Sequence, residues 1–181
     1  MPTEKATLIT HPVRARILTA LMGRRLTTQQ LGQLLPDLPL SSIYRHVRLL
    51  VEGGIIAAVD EARVNGAATK LYAVRKGEAR LSPEDRRQES PAEQLSHFTS
   101  FMNTLSDLYR AYLETEGADP SVDPVHGLMG ALYLSPDEYR EFMDALQEFL
   151  EPWTAKPAGG ERRRMVFAHL AIPDRPDPPL S

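Results

Sequence analysis

The chain has 181 residues, 42% of them hydrophobic, no cysteine and a formal net charge of -3. That is enough apolar material for one packed domain or two small ones, and it excludes disulfides, thiolate nucleophiles and cysteine-based metal sites. No apolar run approaches the ~20 residues of a membrane helix, and Met1-Pro2-Thr3-Glu4-Lys5 lacks the apolar core of a signal peptide, so a soluble cytoplasmic protein is expected. The charge is unevenly placed. Residues 1–76 hold 11 Lys/Arg against 5 Asp/Glu, a balance of +6, whereas residues 77–181 hold 10 against 19, a balance of -9. A basic half joined to an acidic half suggests a nucleic-acid module fused to something else.

In chain order, residues 1–9 read as a loose arm or an early helical turn. Thr10-His11-Pro12 marks a helix start, with Pro12 in the first turn, and Val13, Ile17, Leu18 and Leu21 supply its apolar stripe before Gly23. Thr27 and Gln30 fit a capping box ahead of a short helix that buries Leu31, Leu34 and Leu35 and stops at Pro36. The next helix, running from about Leu40 to Gly53-Gly54, has two faces. Ile43, Val47 and Leu50 fall at i, i+4 and i+7 and suit a core. Ser41, Ser42, Tyr44, Arg45 and Arg48 form a hydroxyl-bearing and basic front. Past Gly54 the period changes to two. The runs Ile55 to Val64 and Ala67 to Lys76 flank Asn65-Gly66, a type I′ hairpin signal. Helix, helix, helix and hairpin make a winged helix-turn-helix.

These residues resemble a known family. His11-Pro12-Val13-Arg14-Ala15-Arg16-Ile17-Leu18 is similar to the opening helix of ArsR-type winged-helix repressors. The run from Ser42 to Leu50, with Glu52-Gly53-Gly54-Ile55-Ile56, is similar to that family's recognition helix and its exit, and Lys70-Leu71-Tyr72-Ala73-Val74 to the strand after the wing. The resemblance covers about residues 8–76 and implies a dimeric bacterial transcriptional regulator. Metal-sensing members carry a cysteine motif in or near the recognition helix. It is absent here, and metal sensing of that kind is not implied.

Residues 77–90 contain a mixed charge run, Glu84 to Arg87, and read as a linker. Ser90-Pro91-Ala92-Glu93 is a second capping box, opening a long helix to about Glu116. On it Leu95, Phe98, Met102, Leu105, Tyr109 and Tyr112 advance by three or four, an apolar face long enough to pack on its copy in a dimer or on a core within one subunit. Leu128–Leu134 and Arg164 to Ile172 read as strands. Between them, Ser135-Pro136-Asp137-Glu138 caps a helix carrying Tyr139, Phe142 and Met143. The expected organisation is a DNA-binding domain at 1–76, a linker at 77–90, a dimerisation and effector domain at 91–172 built on a small β-α-β unit, and a disordered proline-rich tail at 173–181. The fold class is mainly α with a small β component.

The candidate DNA contacts are Thr28, Ser41, Ser42, Tyr44, Arg45 and Arg48 in the helix-turn-helix and Arg63 and Lys70 on the wing. Arginines suit guanine edges or phosphates, and hydroxyls at a helix start suit phosphate. His46 falls beside Ile43 on the buried edge and reads as a packing residue. The aromatic and Met side chains Phe101, Tyr109, Tyr139, Phe142 and Met143 are read first as core and second as a small-molecule effector pocket. The five histidines show no His-x-x-His or His-x-x-x-His pair, and no phosphate loop, nucleophile elbow or metalloprotease motif is present. No enzyme activity, metal or cofactor is therefore expected. The expected function is a dimeric, sequence-specific regulator acting on double-stranded DNA, in the sense of a repressor. The rival is a winged-helix protein-interaction module that does not read DNA.

Overall fold

The computed structural model describes residues 3–64, 67–79 and 81–174, and the side chains of all of these except residues 63, 64, 67 and 83. The chain divides by its contacts into one unit reaching Tyr133 and a second beginning at Leu134.

The first unit opens with helix α1, Glu4–Thr10, where an arm or a single turn was expected. Its start is capped by Thr3, whose hydroxyl accepts from the Ala6 N–H at 3.1 Å. Its end is closed from outside. The buried guanidinium of Arg14 donates through Nε to Leu8 O at 2.6 Å and through Nη2 to Thr7 O at 2.7 Å. Carbonyls in the last turn of a helix have no intrahelical partner, and here a side chain of the next helix supplies one.

That helix, α2, is Pro12–Leu21, with Pro12 at its first position and His11 as its cap. Helix α3, Thr28–Leu34, starts on the complete Thr27–Gln30 capping box. Helix α4, Leu40–Glu52, follows after a short connection and ends at Gly53. Ile17, Leu18 and Leu21 from α2, Leu31 and Leu35 from around α3, Ile43, Val47 and Leu50 from α4, and Ile55-Ile56 beyond it form one buried cluster. The wing is the antiparallel pair β1, Ile56–Val64, and β2, Ala67–Val74, with Ile56 opposite Val74 and Glu61 opposite Lys70. Its register slips between Ala58 and Asp60, leaving Val59 exposed. Leu26 adds a short third rung, exchanging both backbone hydrogen bonds with Tyr72 at 2.9 and 3.1 Å. The Asn65-Gly66 turn lies outside the described residues.

The segment read as a linker contains a short helix, α5, Pro83–Arg87, with its own Ser82–Asp85 capping box. It is tied to the start of the chain. Thr3 Oγ1 donates to Asp85 at 2.6 Å, and Lys5 pairs with Glu78 at 2.8 Å. Helix α6, Pro91–Leu113, has 23 residues and opens on the Ser90–Glu93 box; at 1.5 Å per residue it is about 34 Å long. No residue of α6 is buried.

The second unit is built on helix α7, Pro136–Thr154, opened by the Ser135–Glu138 box and likewise without a buried residue. Phe149 lies 6.4 Å from Trp153, and Lys156 caps the Trp153 ring at 3.9 Å. The expected strands at Leu128–Leu134 and Arg164 to Ile172 are not formed, so the expected β-α-β unit is absent from the described residues. Short apolar runs mark segments that gain by burial, but a strand exists only with a hydrogen-bonded neighbour. Leu128, Met129 and Tyr133 are each more than four-fifths exposed. Of the expected tail, residues 175–181 lie outside the described residues.

Candidate nucleic-acid interface

Helix α4 separates its residues cleanly. Ile43, His46, Val47 and Leu50 are buried, while Ser41, Tyr44, Arg45 and Arg48 are exposed and Ser42 is half-buried. The exposed positions 41, 44, 45 and 48 share one side at helical spacing. No side chain caps the start of α4, so its first N–H groups are left for another acceptor, which suits an anion such as phosphate.

Tyr44, Arg45 and Arg48 line a groove of about 560 Å³ whose far wall is the wing, with Lys70 and Tyr72 from β2. Four of the expected contacts thus meet in one place, with Ser41 and Ser42 at the start of the same helix. Arg63 stands on β1 opposite Ala68, near the outer end of the wing. Thr28 does not join them. It is 3% exposed, so its hydroxyl is withdrawn from the surface by the packing of α3, and its expected phosphate contact is not supported.

Two members of this neighbourhood were not singled out from the sequence. Glu52 accepts from Arg48 Nε at 2.7 Å, one turn further along α4, and the i, i+4 spacing of opposite charges is the signal that points to it. The second is His11. Its Nδ1 accepts from the Val13 N–H at 3.2 Å to cap α2, and its ring lies 4.9 Å from that of His46. His46 is 4% exposed; its Nε2 lies 3.4 Å from Arg45 Nη2, and its buried Nδ1 has no hydrogen-bond partner among the described residues. Burial pushes His46 below the ordinary imidazole value, helped by the charges of His11, Arg45 and Arg14. Burial also lowers His11, with Arg14 and Arg45 acting in the same direction against a backbone hydrogen bond. Arg16 is engaged elsewhere, in a two-pronged pair with Asp37 at 2.7 Å.

A second depression of about 540 Å³ in this unit runs between Pro12 and Arg16 of α2 and the side of α6 bearing Ala92, Leu95, Ser96, Thr99 and Asn103. The stripe of Leu95, Phe98, Met102, Leu105, Tyr109 and Tyr112 remains exposed or half-buried. Tyr109 and Tyr112 stack at 6.0 Å, and Tyr112 donates to Asp123 at 2.7 Å. Of the candidate effector residues, Phe101 and Tyr109 stand on α6 and Tyr139, Phe142 and Met143 on α7; neither depression includes any of them.

Among the described residues, no helix is long and apolar enough to cross a membrane, and no group of three or more His, Asp or Glu is placed to hold a metal ion. No curated protein matches the chain. A family model described as a helix-turn-helix domain matches residues 9–59, from the end of α1 through α2, α3 and α4 into β1. Residues 9–59 are thus similar to a helix-turn-helix domain, and α4 with its exposed front lies within them.

Proposed function

We propose that the protein is a homodimeric, sequence-specific DNA-binding transcriptional regulator of the ArsR-like winged-helix kind, a cytoplasmic repressor and not an enzyme. The observation that carries this reading is the front of α4, where Tyr44, Arg45 and Arg48 face one groove with Lys70 of the wing, within a helix-turn-helix domain. In this reading α4 enters the major groove. Arg45 and Arg48 read guanine edges or clamp phosphate, Ser41 and Ser42 hold the backbone at the helix start, and Arg63 and Lys70 reach the DNA from the wing.

Dimerisation is supported by α6. Its 23 residues bury nothing within the protomer, and its stripe from Leu95 to Tyr112 is what a second copy would cover. Two-fold symmetry would set two copies of α4 about 34 Å apart, one turn of the duplex. A small-molecule effector or protein partner acting on the C-terminal half would regulate by altering that separation.

The test is binding to the DNA upstream of the protein's own coding sequence, measured by gel shift or anisotropy over a range of salt. Specific affinity is expected to fall linearly on a log–log plot against salt, because bound Lys and Arg displace counterions. Arg45→Ala and Arg48→Ala are each expected to cost about 1–3 kcal/mol of specific affinity. Salt-independent behaviour and no retention on a DNA column would instead favour a protein-interaction module.

A further inference from the structure

We infer that His46, together with His11, is a positioning residue for DNA reading: the neutral imidazole pair holds Arg45 and the start of α2 in their binding arrangement, and acidification releases the DNA. The inference rests on the DNA-reading assignment of α4. Three features of the geometry carry it.

First, a guanidinium only donates hydrogen bonds. The nitrogen of His46 that lies 3.4 Å from Arg45 Nη2 must therefore be the one with the free lone pair. A protonated ring presents N–H at both nitrogens and has nothing to offer Arg45. Second, His11 caps α2 by accepting from Val13 N–H through Nδ1, which likewise requires that nitrogen to be unprotonated. Acid thus removes the cap and the Arg45 contact together. Third, the rings are 4.9 Å apart, and the charged groups acting on His46 are all cationic: His11 at the start of α2, Arg14 within α2 and Arg45 on its own helix. A proton placed on His46, which is 4% exposed, meets the positive charges of Arg14 and Arg45 in a poorly solvated position, and a third once His11 is protonated. The relief open to the structure is to move Arg45, or the segment carrying His11, away.

The sign separates this arrangement from an ordinary one. A histidine at the rim of a DNA site gains positive charge on acidification and strengthens phosphate binding. Here protonation weakens binding, although the net charge of the protein becomes more positive.

The experiment uses the full chain and a duplex that it enriches from a random pool at pH 8. Affinity is measured by anisotropy from pH 8.0 to 5.5 at fixed ionic strength, with far-UV circular dichroism at each pH to follow the fold. The wild type is expected to lose at least about tenfold in affinity towards pH 5.5 with its helix content retained, a change of about 1.4 kcal/mol. In H11N/H46Q, Asn keeps a cap acceptor and Gln keeps an acceptor for Arg45, but neither titrates, and affinity is expected to stay within about twofold over the same range. Ring resonances of His46 in the wild type, free and DNA-bound, give a second readout that needs no variant; its titration midpoint is expected to move down when DNA is bound. Unchanged or rising affinity on acidification, a double variant that still loses affinity, or a midpoint that moves up with DNA would each overturn the proposal. Failure to enrich any duplex at pH 8 would overturn the DNA-reading assignment itself.

Discussion

Arg48 Nε is 2.7 Å from a carboxylate oxygen of Glu52, so one of the two arginines on the candidate reading face is already paired within its own helix. Both side chains are more than half exposed, and an exposed pair of this kind contributes little to stability. Its interest lies in binding, because a carboxylate beside the DNA backbone is repelled by phosphate and holds Arg48 in one direction. Glu52→Gln is expected to shift the melting temperature by no more than about 2 °C. It is also expected to raise affinity for mixed-sequence duplex several-fold at low salt while narrowing the gap between preferred and mixed sequence. Thermal melting and paired anisotropy titrations check both parts.

The capping box of α3 gives a stability prediction. Thr27 is 1% exposed; its hydroxyl accepts from Gln30 N–H at 3.1 Å while the Gln30 amide oxygen accepts from Thr27 N–H at 2.9 Å. Thr27→Ala is expected to cost about 1 kcal/mol, within a range of about 0.5–2, and Thr27→Ser to recover most of it. Urea unfolding of the three proteins decides the point; equal midpoints would mean that the box is not what starts α3.

For the dimer reading, Met102→Glu combined with Leu105→Glu is expected to give a folded monomer by sedimentation velocity. The pair places two charges on a surface that is not fully buried within the protomer, so helix content is expected to survive. Operator affinity is expected to fall at least about a hundredfold, because two half-sites are no longer held together. A dimer that persists would remove α6 from the interface.

Asp85 gives a dependence on acid. Hydrogen bonds from the Thr3 hydroxyl and then from Ser82 hold its carboxyl at about 2, below the ordinary 3.8. The depressed value means that the charged form is favoured by folding. The stabilisation is therefore complete above pH 3.8 and is lost as pH falls through about 2. Protection of the α1 amides relative to their intrinsic exchange rates, α1 being capped by the donor Thr3, is expected to fall over that window in the wild type. In Asp85→Asn that protection is expected to be lower already at pH 7 and to show no further fall below pH 4.

Contacts close in sequence were readable from the residues, and distant ones were not. The Thr27–Gln30, Ser90–Glu93 and Ser135–Glu138 boxes each join a residue to one three positions on, and all three open the helices expected of them. Residues 1–9 read as an arm or an early helical turn, and not as the full helix α1, because its last carbonyls are satisfied by Arg14, a member of another helix. The segment at 77–90 read as a linker because its attachment runs from Asp85 back to Thr3, 82 positions away. Thr28 was placed on the DNA face by its position in the first turn of a helix, a rule that says nothing about what packs over it. The spacing of His46 from Ile43 points to the interior, where it is 4% exposed, but nothing in that spacing names His11 as its neighbour. The strands expected around α7 rest on short apolar runs, which record a tendency to be buried and not the presence of a partner.

The side of α6 that lines the depression against α2 offers alanine, serine, threonine and asparagine with one leucine, Leu95, while Phe98, Met102 and Tyr109 are not part of it and remain exposed. The apolar side of this helix is therefore left largely uncovered by its own domain. If a second copy meets it, the durability of this half of the chain is set by mass action. The same polypeptide would be robust when abundant and fragile when scarce, so that dilution alone would act as an off-switch.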